Sequence, residues 1–330
     1  MIAVLASRLT AEIHLQPGFE AARVERTVSV RANSVVFFAN LGVGTGQPAA
    51  IKCCRVPGTD IADPVAAQAQ FDALRRVHES LLRVSPRFTV PAPLWLGANL
   101  GAYAMSWVVG QSLTEQLGQW GRADSLMTAF ESAGAWLGAF HSSGPLQYRP
   151  ADIEGKAEHL RKMAKQPVSH PLFQQGLERL TRAYPRMQAL PLQCSWLHGD
   201  CKTDNFMLTS DGVCGIDIAL SDVNAVEHDL AQFLNHLELQ TSGLRLMHRR
   251  QDHTALSQAF LQGYRSTGPT LDDAFLYWMR LWSALSFWHA RVVETRPSVL
   301  KRGALNYLFS ALVGSLLKSP DVRLIYCAPP

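Results

Sequence analysis

The chain has 330 residues, 47% hydrophobic and 18% charged, with 31 Lys and Arg against 27 Asp and Glu for a formal net charge of +4. That length suits two lobes, each with its own core. The mild positive balance contains no dense basic block, Arg249-Arg250 and Lys301-Arg302 being the nearest to one, so nothing points to nucleic acid or an anionic membrane surface as a partner.

In chain order, Met1–Arg8 lacks a basic start followed by a long apolar run, and no signal peptide is expected. Residues 24–56 read as three strands: one carrying Val28 and Val30, one at Val35–Ala39, and one at Ala49–Cys54. The turn Gly42-Val-Gly-Thr-Gly46 joins the last two. Asp63-Pro64 predicts a helix start, because Asp can cap free amides and Pro is preorganised at the first helical position. Phe71, Leu74, Val77 and Leu81 follow at helical spacing.

Pro93–Gly97 and Ala102–Val108 read as two further strands. The uncharged stretch from Phe88 to Thr114 is broken by Pro91, Pro93, Gly97 and Gly101, and so is no membrane span. Beyond Gly110 the chain is mostly helical. Asp124 is placed to cap a helix carrying Met127, Phe130, Leu137 and Phe140 that ends near His141–Gly144. Helices are also predicted over 152–165, over 171–182 with Pro185 breaking the pattern, over 271–295 and over 303–317. The six cysteines show no C-x-x-C spacing and read as reduced thiols of a cytoplasmic protein. Most are core fillers, and Cys201 is the one that could sit partly exposed.

The chemistry concentrates in Trp196–Leu208, which contains His198-Gly199-Asp200 and Asn205, and in Gly215-Ile216-Asp217, followed by Asp229-Leu230-Ala231. Asp200 precedes Asn205 by five residues and Asp217 by 17. Phosphoryl transfer needs one carboxylate to orient the attacking hydroxyl, and an amide with a second carboxylate to hold magnesium against the nucleotide phosphates. Asp200 fits the base, and Asn205 and Asp217 fit the metal ligands. Magnesium keeps several waters, so so sparse a protein set suffices. The bland alternative for Asp200 is a turn Asp bonding its own backbone.

These linked elements resemble the aminoglycoside phosphotransferase and choline kinase family, the small-molecule branch of the protein-kinase-like fold. The resemblance implies an α+β, two-lobed architecture: residues 1–109 as an N-terminal antiparallel sheet with one helix that binds nucleotide, and 110–330 as a mostly helical catalytic and substrate-binding lobe. It implies ATP and Mg2+ as cofactors and the hydroxyl of a small molecule as acceptor: an amino sugar, an amino alcohol or a sugar. Lys52, in an Ala-Ile-Lys triplet, takes the place of the phosphate-binding lysine. The turn Arg31-Ala-Asn33-Ser34 takes that of the phosphate-covering loop, and backbone from Met105 through Trp107 and Val108 that of the adenine-binding hinge. Gln70 or Asp72 stands where kinases carry a Glu that pairs with the lysine. Lys202 matches a lysine that touches the transferred phosphate, with a solvated loop residue as the alternative. By the same resemblance His198 and His141 are structural, and Asp229 braces the catalytic loop.

Two other functions compete. A nucleotide-binding pseudokinase would account for the glycine-free turn and the missing helix Glu. A metal hydrolase would use His198, Asp200 and His228 or His236. A cationic acceptor would call for carboxylates, of which Asp222, Glu227 and Glu238 are the ones near the motif in sequence. Trp278, Trp282 and Trp288 at helical spacing read as core, with stacking on a sugar or caging a cation as the alternative.

Overall fold

The computed structural model describes residues 2–15, 19–42, 46–118, 123–242 and 253–319. The chain divides into two compact units, one of residues 1–111 with 207–220, the other of residues 112–206 with 221–330. The middle of the predicted turn at 42–46 and all of Arg249-Arg250 and Cys327 lie outside the described residues, as does the side chain of Asp222.

The first unit runs α1 (Ile2–His14), β1 (Arg23–Arg31), β2 (Ser34–Leu41), β3 (Gln47–Cys54), α2 (Pro64–Val84), β4 (Phe88–Thr89), β5 (Pro93–Gly97) and β6 (Ala102–Ser106). Its antiparallel sheet has the order β1-β2-β3-β6-β5. Strand alternation sorts the two faces. Val35, Phe37 and Ala39 of β2 and Ala49, Ile51 and Cys53 of β3 are buried in one core with Leu9 and Ile13 of α1. Lys52 lies between two of those inward residues and so points to the opposite face. Tyr103, its register partner on β6, reaches Gln70 of α2 on that face. Helix α2 starts as predicted, with the Asp63 side chain accepting from the Ala66 amide and Pro64 at its first position. Helix α1 was not foreseen. Its Leu9 and Ile13, one turn apart, supply the face that covers the sheet.

The chain crosses between units at β7 (Gln111–Ser112), then forms α3 (Leu113–Leu117), α4 (Ala123–Ser143), β8 (Gln147–Pro150), α5 (Glu154–Lys165), α6 (Pro171–Ala189) and β9 (Pro191–Leu197). It returns through β10 (Phe206–Thr209) and β11 (Gly212–Gly215), then continues with β12 (Ser221–Ala225), α7 (Glu227–Ser242), α8 (His253–Thr267), α9 (Asp273–His289) and α10 (Val299–Lys318). Helices α4 and α8 pack almost backbone to backbone. A Cβ on Gly263 would lie 1.8 Å from the Glu131 carbonyl, and one on Gly134 1.9 Å from that of Phe260, so only glycine permits the crossing.

Three expectations are corrected here. Asp124 lies in the first turn of α4, within the helix and not at its cap. Pro185 does not end α6, which continues to Ala189. Pro185 is exposed, so the carbonyl its ring deprives of a partner can meet water, while Phe173, Leu177, Leu180, Ala183 and Met187 keep burying one face through the last turn. The long apolar helix ends at His289 and passes into a π-turn over Ala290–Glu294. Its tryptophans divide: Trp278 and Trp288 are fully buried, whereas Trp282 is half-buried with the Lys156 ammonium 5.1 Å from its ring centroid. Among the described residues no helix is long and apolar enough to cross a membrane.

Candidate active site

In the second unit, the segment after β9 carries Asp200. Its frame is Asp229, near the start of α7, whose carboxylate accepts the amides of His198 (2.5 Å) and Gly199 (3.1 Å). Gly199 has φ +82°, a left-handed conformation that costs other L-residues about 1–2 kcal/mol. The same Asp229 faces His141 Nε2 at 3.1 Å, and His141 Nδ1 lies 2.9 Å from the Tyr264 hydroxyl. With Asp229 ionised, Nε2–H donates to it and Nδ1 accepts from the tyrosine. Burial pushes the Asp229 carboxyl up, but the His141 hydrogen bond and the charges and amide about it outweigh that and hold it below the ordinary range.

Two more residues of α7 continue this support. Gln232 accepts the Cys201 amide at 2.9 Å, and the His236 ring accepts the Thr203 amide at 3.4 Å and meets its hydroxyl at 3.0 Å. Asp229, Gln232 and His236 recur at helical spacing, so one stripe of α7 holds the whole loop. His198 contributes its amide and packs its fully buried ring beside Phe206, Trp136 and Phe140. Cys201 is fully buried, not partly exposed, and desolvation, with the nearby Asp229 and Asp200 charges, drives its thiol well above the usual range. It is no nucleophile.

On this frame Asp200, Lys202 and Asn205 come together. Lys202 Nζ is 2.5 Å from Asp200 Oδ2, and Asn205 Nδ2 donates to the Asp200 carbonyl at 2.7 Å and to Oδ2 at 3.1 Å. Both side-chain contacts fall on Oδ2. Among the described residues Oδ1 has no donor, which leaves it for an incoming hydroxyl. Committing its NH2 group to Asp200 leaves Asn205 its carbonyl Oδ1, the right donor for a hard cation. Lys202 is thus bound to the carboxylate and is not a freely solvated loop lysine.

In the first unit, Lys52 Nζ is 2.6 Å from Asp217 Oδ1 and Arg31 Nη1 is 2.9 Å from Asp217 Oδ2. Burial raises the Asp217 carboxyl, while the charges and hydrogen bonds of Lys52 and then Arg31 lower it further than burial raises it, so the net direction is down. Asp217 adopts φ +58°, a conformation that strains a non-glycine residue. Neither residue considered for the Lys52 pairing takes it. Gln70 accepts from the Tyr103 hydroxyl at 3.3 Å, and Asp72 is engaged with Gln68 at 2.7 Å and Arg75 at 3.3 Å.

The turn bearing Asn33 and Ser34 is fixed from one side. The carbonyl of Ala32 accepts from the Gly58 amide (3.1 Å) and that of Asn33 from the Arg55 amide (2.8 Å), and the Arg55 guanidinium bonds the Arg31 carbonyl (2.9 Å). In planar trans peptides the amide following a carbonyl points the opposite way, so the Ala32 amide faces away from the Arg55 guanidinium and the Asn33 amide away from Gly58. At the hinge, Met105 is paired within the sheet, the Ser106 amide bonds Ala92 and that of Trp107 bonds Pro48. Val108 is the first residue past β6 whose backbone is without a partner among the described residues. Phe38 meets Trp107 edge-on at 5.0 Å, with Arg26 over both rings.

Among the described residues no group of three or more His, Cys, Asp and Glu is arranged to hold a metal, and His236 is committed to Thr203, so the hydrolase reading finds no site.

Comparison with known proteins places the fold and the family. No curated protein matches the sequence at a significant level. Among solved structures, the chain is similar to a choline/ethanolamine kinase family protein from Mesorhizobium loti, at 14% identity and a TM-score of 0.60, covering 97% of this chain and 99% of that one. It is also similar to a glucosamine kinase in complex with glucosamine, ADP and inorganic phosphate, at 14% identity and a TM-score of 0.63, over 95% of this chain and 86% of that one. A macrolide 2'-phosphotransferase type I aligns at 15% identity with a TM-score of 0.56, over 94% and 96% of the two chains. At these identities the likeness is one of fold, α+β and protein-kinase-like. The family model of phosphotransferase enzymes matches residues 54–274, and the chain therefore belongs to the phosphotransferase enzyme family, whose members transfer phosphoryl groups to small molecules.

Proposed function

We propose that the protein is an ATP- and Mg2+-dependent kinase that phosphorylates a hydroxyl of a small molecule. The observation that carries this reading is Asp200, whose loop is clamped through its main chain by the buried Asp229 carboxylate while its Oδ1 is without a donor among the described residues. In this reading Asp200 accepts the acceptor's proton as the hydroxyl oxygen attacks the γ-phosphorus and the bond from that phosphorus to the β–γ bridging oxygen breaks, ADP being the leaving group. Lys202 neutralises charge on the transferring group, and Lys52 binds the nucleotide phosphates. The turn bearing Asn33 and Ser34 contacts the phosphates, and backbone from Met105 through Trp107 to Val108 meets adenine, Val108 being without a backbone partner among the described residues. Asn205 and Asp217 would hold the metal, which when bound neutralises phosphate charge. The residues fit it, since magnesium takes hard oxygen donors and needs only one or two protein carboxylates beside waters and substrate phosphates. Residues 1–109 serve as the nucleotide-binding lobe and 110–330 as the catalytic and substrate-binding lobe. The free, buried thiols suit a cytoplasmic enzyme.

The pseudokinase alternative draws on the fact that Gln70 and Asp72 do not pair with Lys52. Against it, Lys52 has found an acidic partner in Asp217. The test is calorimetric titration of ATP with and without magnesium, followed by a screen of hydroxylated metabolites and aminoglycosides for acceptor-dependent ADP release. Magnesium-dependent binding with turnover on at least one acceptor is expected. Absence of nucleotide affinity under both conditions would remove both readings, and binding without turnover on any acceptor would favour the pseudokinase.

A further inference from the structure

Both oxygens of Asp217 are occupied by cations of the protein itself, Oδ1 by Lys52 and Oδ2 by Arg31. A divalent cation must coordinate one of these oxygens, and the Arg31 guanidinium then presents a like charge beside it. We propose that Arg31 closes this carboxylate in the nucleotide-free protein and transfers to the nucleotide's phosphates on binding, so that cation and nucleotide enter together. The inference rests on the kinase reading above and adds a residue and an order of events to it.

Of the two cations, Arg31 is the one built to leave. Its side chain is 56% exposed against 15% for Lys52, and exposed ion pairs are weak and easily exchanged. Its backbone, in contrast, is fixed. The Arg31 carbonyl is held by the guanidinium of Arg55, which is itself only 10% exposed and anchored by Asp60 at 2.9 Å. The side chain can therefore swing about a stationary pivot at the end of β1, where the phosphate-covering turn begins. A triphosphate offers more charge than one carboxylate and matches the guanidinium fork in bidentate fashion. Arg55 cannot take that part, because its guanidinium is committed to Arg31, Ser34 and Asp60.

The test measures Mn2+ affinity of the nucleotide-free protein by electron paramagnetic resonance, and ATP affinity in excess chelator by calorimetry. Wild type is compared with Arg31→Gln and Arg31→Lys, each checked for an unchanged fold by circular dichroism. Arg31→Gln should bind Mn2+ about two- to fivefold more tightly, the scale of an exposed ion pair. It should bind metal-free ATP about tenfold more weakly, the scale of a charged hydrogen bond. Arg31→Lys should fall between. Either affinity of Arg31→Gln staying at the wild-type value, in a protein that binds ATP, overturns this inference alone. A wild-type protein that binds ATP neither with nor without metal removes the kinase reading and this inference with it.

Discussion

Around Asp200 the positioning contacts go mostly to the main chain of the loop and centre on a buried carboxylate, whereas around Asp217 they are ion pairs between side chains that reach solvent. The carboxylate of Asp229 is 2% exposed and holds two consecutive amides; that of Asp217 is 25% exposed and holds two flexible cations. In the kinase proposed above, the difference follows the task. A base must stay within hydrogen-bonding reach of one proton, which suits a loop whose consecutive amides are held by one buried carboxylate. A carboxylate that has to trade protein cations for a metal with every nucleotide needs partners it can release.

The contrast predicts different failures. Asp217→Ala should lower turnover by at least about 10³-fold, the scale set by losing a group that stabilises transferring charge. The melting temperature should hardly move, since Lys52 and Arg31 can return to water. Steady-state turnover beside thermal melting checks this, and substantial residual turnover at saturating magnesium would mean that Asp217 is not the ligand. Asp229→Asn should instead damage the fold as well as activity. It removes a buried charge that His141 and two amides depend on, a loss worth about 3–5 kcal/mol. Denaturant unfolding reads that cost, and an unchanged midpoint would deny that the loop is held from α7.

A smaller effect sharpens the same point two residues away. Burial pushes the Glu227 carboxyl up to about 8, and its Oε2 is without a hydrogen-bond partner among the described residues while Oε1 accepts from the Asp272 amide. Because the folded value lies above the unfolded one, the stability linked to this proton is complete below about pH 4.5 and is lost as pH rises toward 8. Glu227→Gln keeps the acceptor for Asp272 without the charge. It should stabilise by about 1–3 kcal/mol at pH 8 and by much less at pH 5. Melting curves at the two pH values decide it; an equal effect at both would place the carboxylate in water.

Much of this arrangement was legible in the sequence because it is local. Asp63-Pro64 specifies a helix start by its own chemistry, and the chain of His198 through Asn205 brings the three polar groups of the loop within a few residues of one another. What escaped is what depends on the other side of a contact. The stripe Asp229, Gln232, His236 has helical spacing, but nothing in its residue types says that it faces loop amides and not solvent. Arg31 at a strand end looks like any exposed arginine until Asp217 is placed beside it across 186 residues. Pro185 reads as a breaker because the buried face that carries α6 past it is supplied by tertiary packing. Trp278, Trp282 and Trp288 share a helix, and only their neighbours separate two core residues from one that holds Lys156.

The central claim is that Asp200 is a positioned base in a working phosphotransferase, and Asp200→Asn tests it most directly. Asn preserves size and some of the hydrogen bonding but cannot take a proton as a carboxylate does. ATP affinity by calorimetry should remain at the wild-type value, while turnover on an acceptor identified by the screen falls by about 10²–10⁴-fold. A fall of less than tenfold would contradict the account.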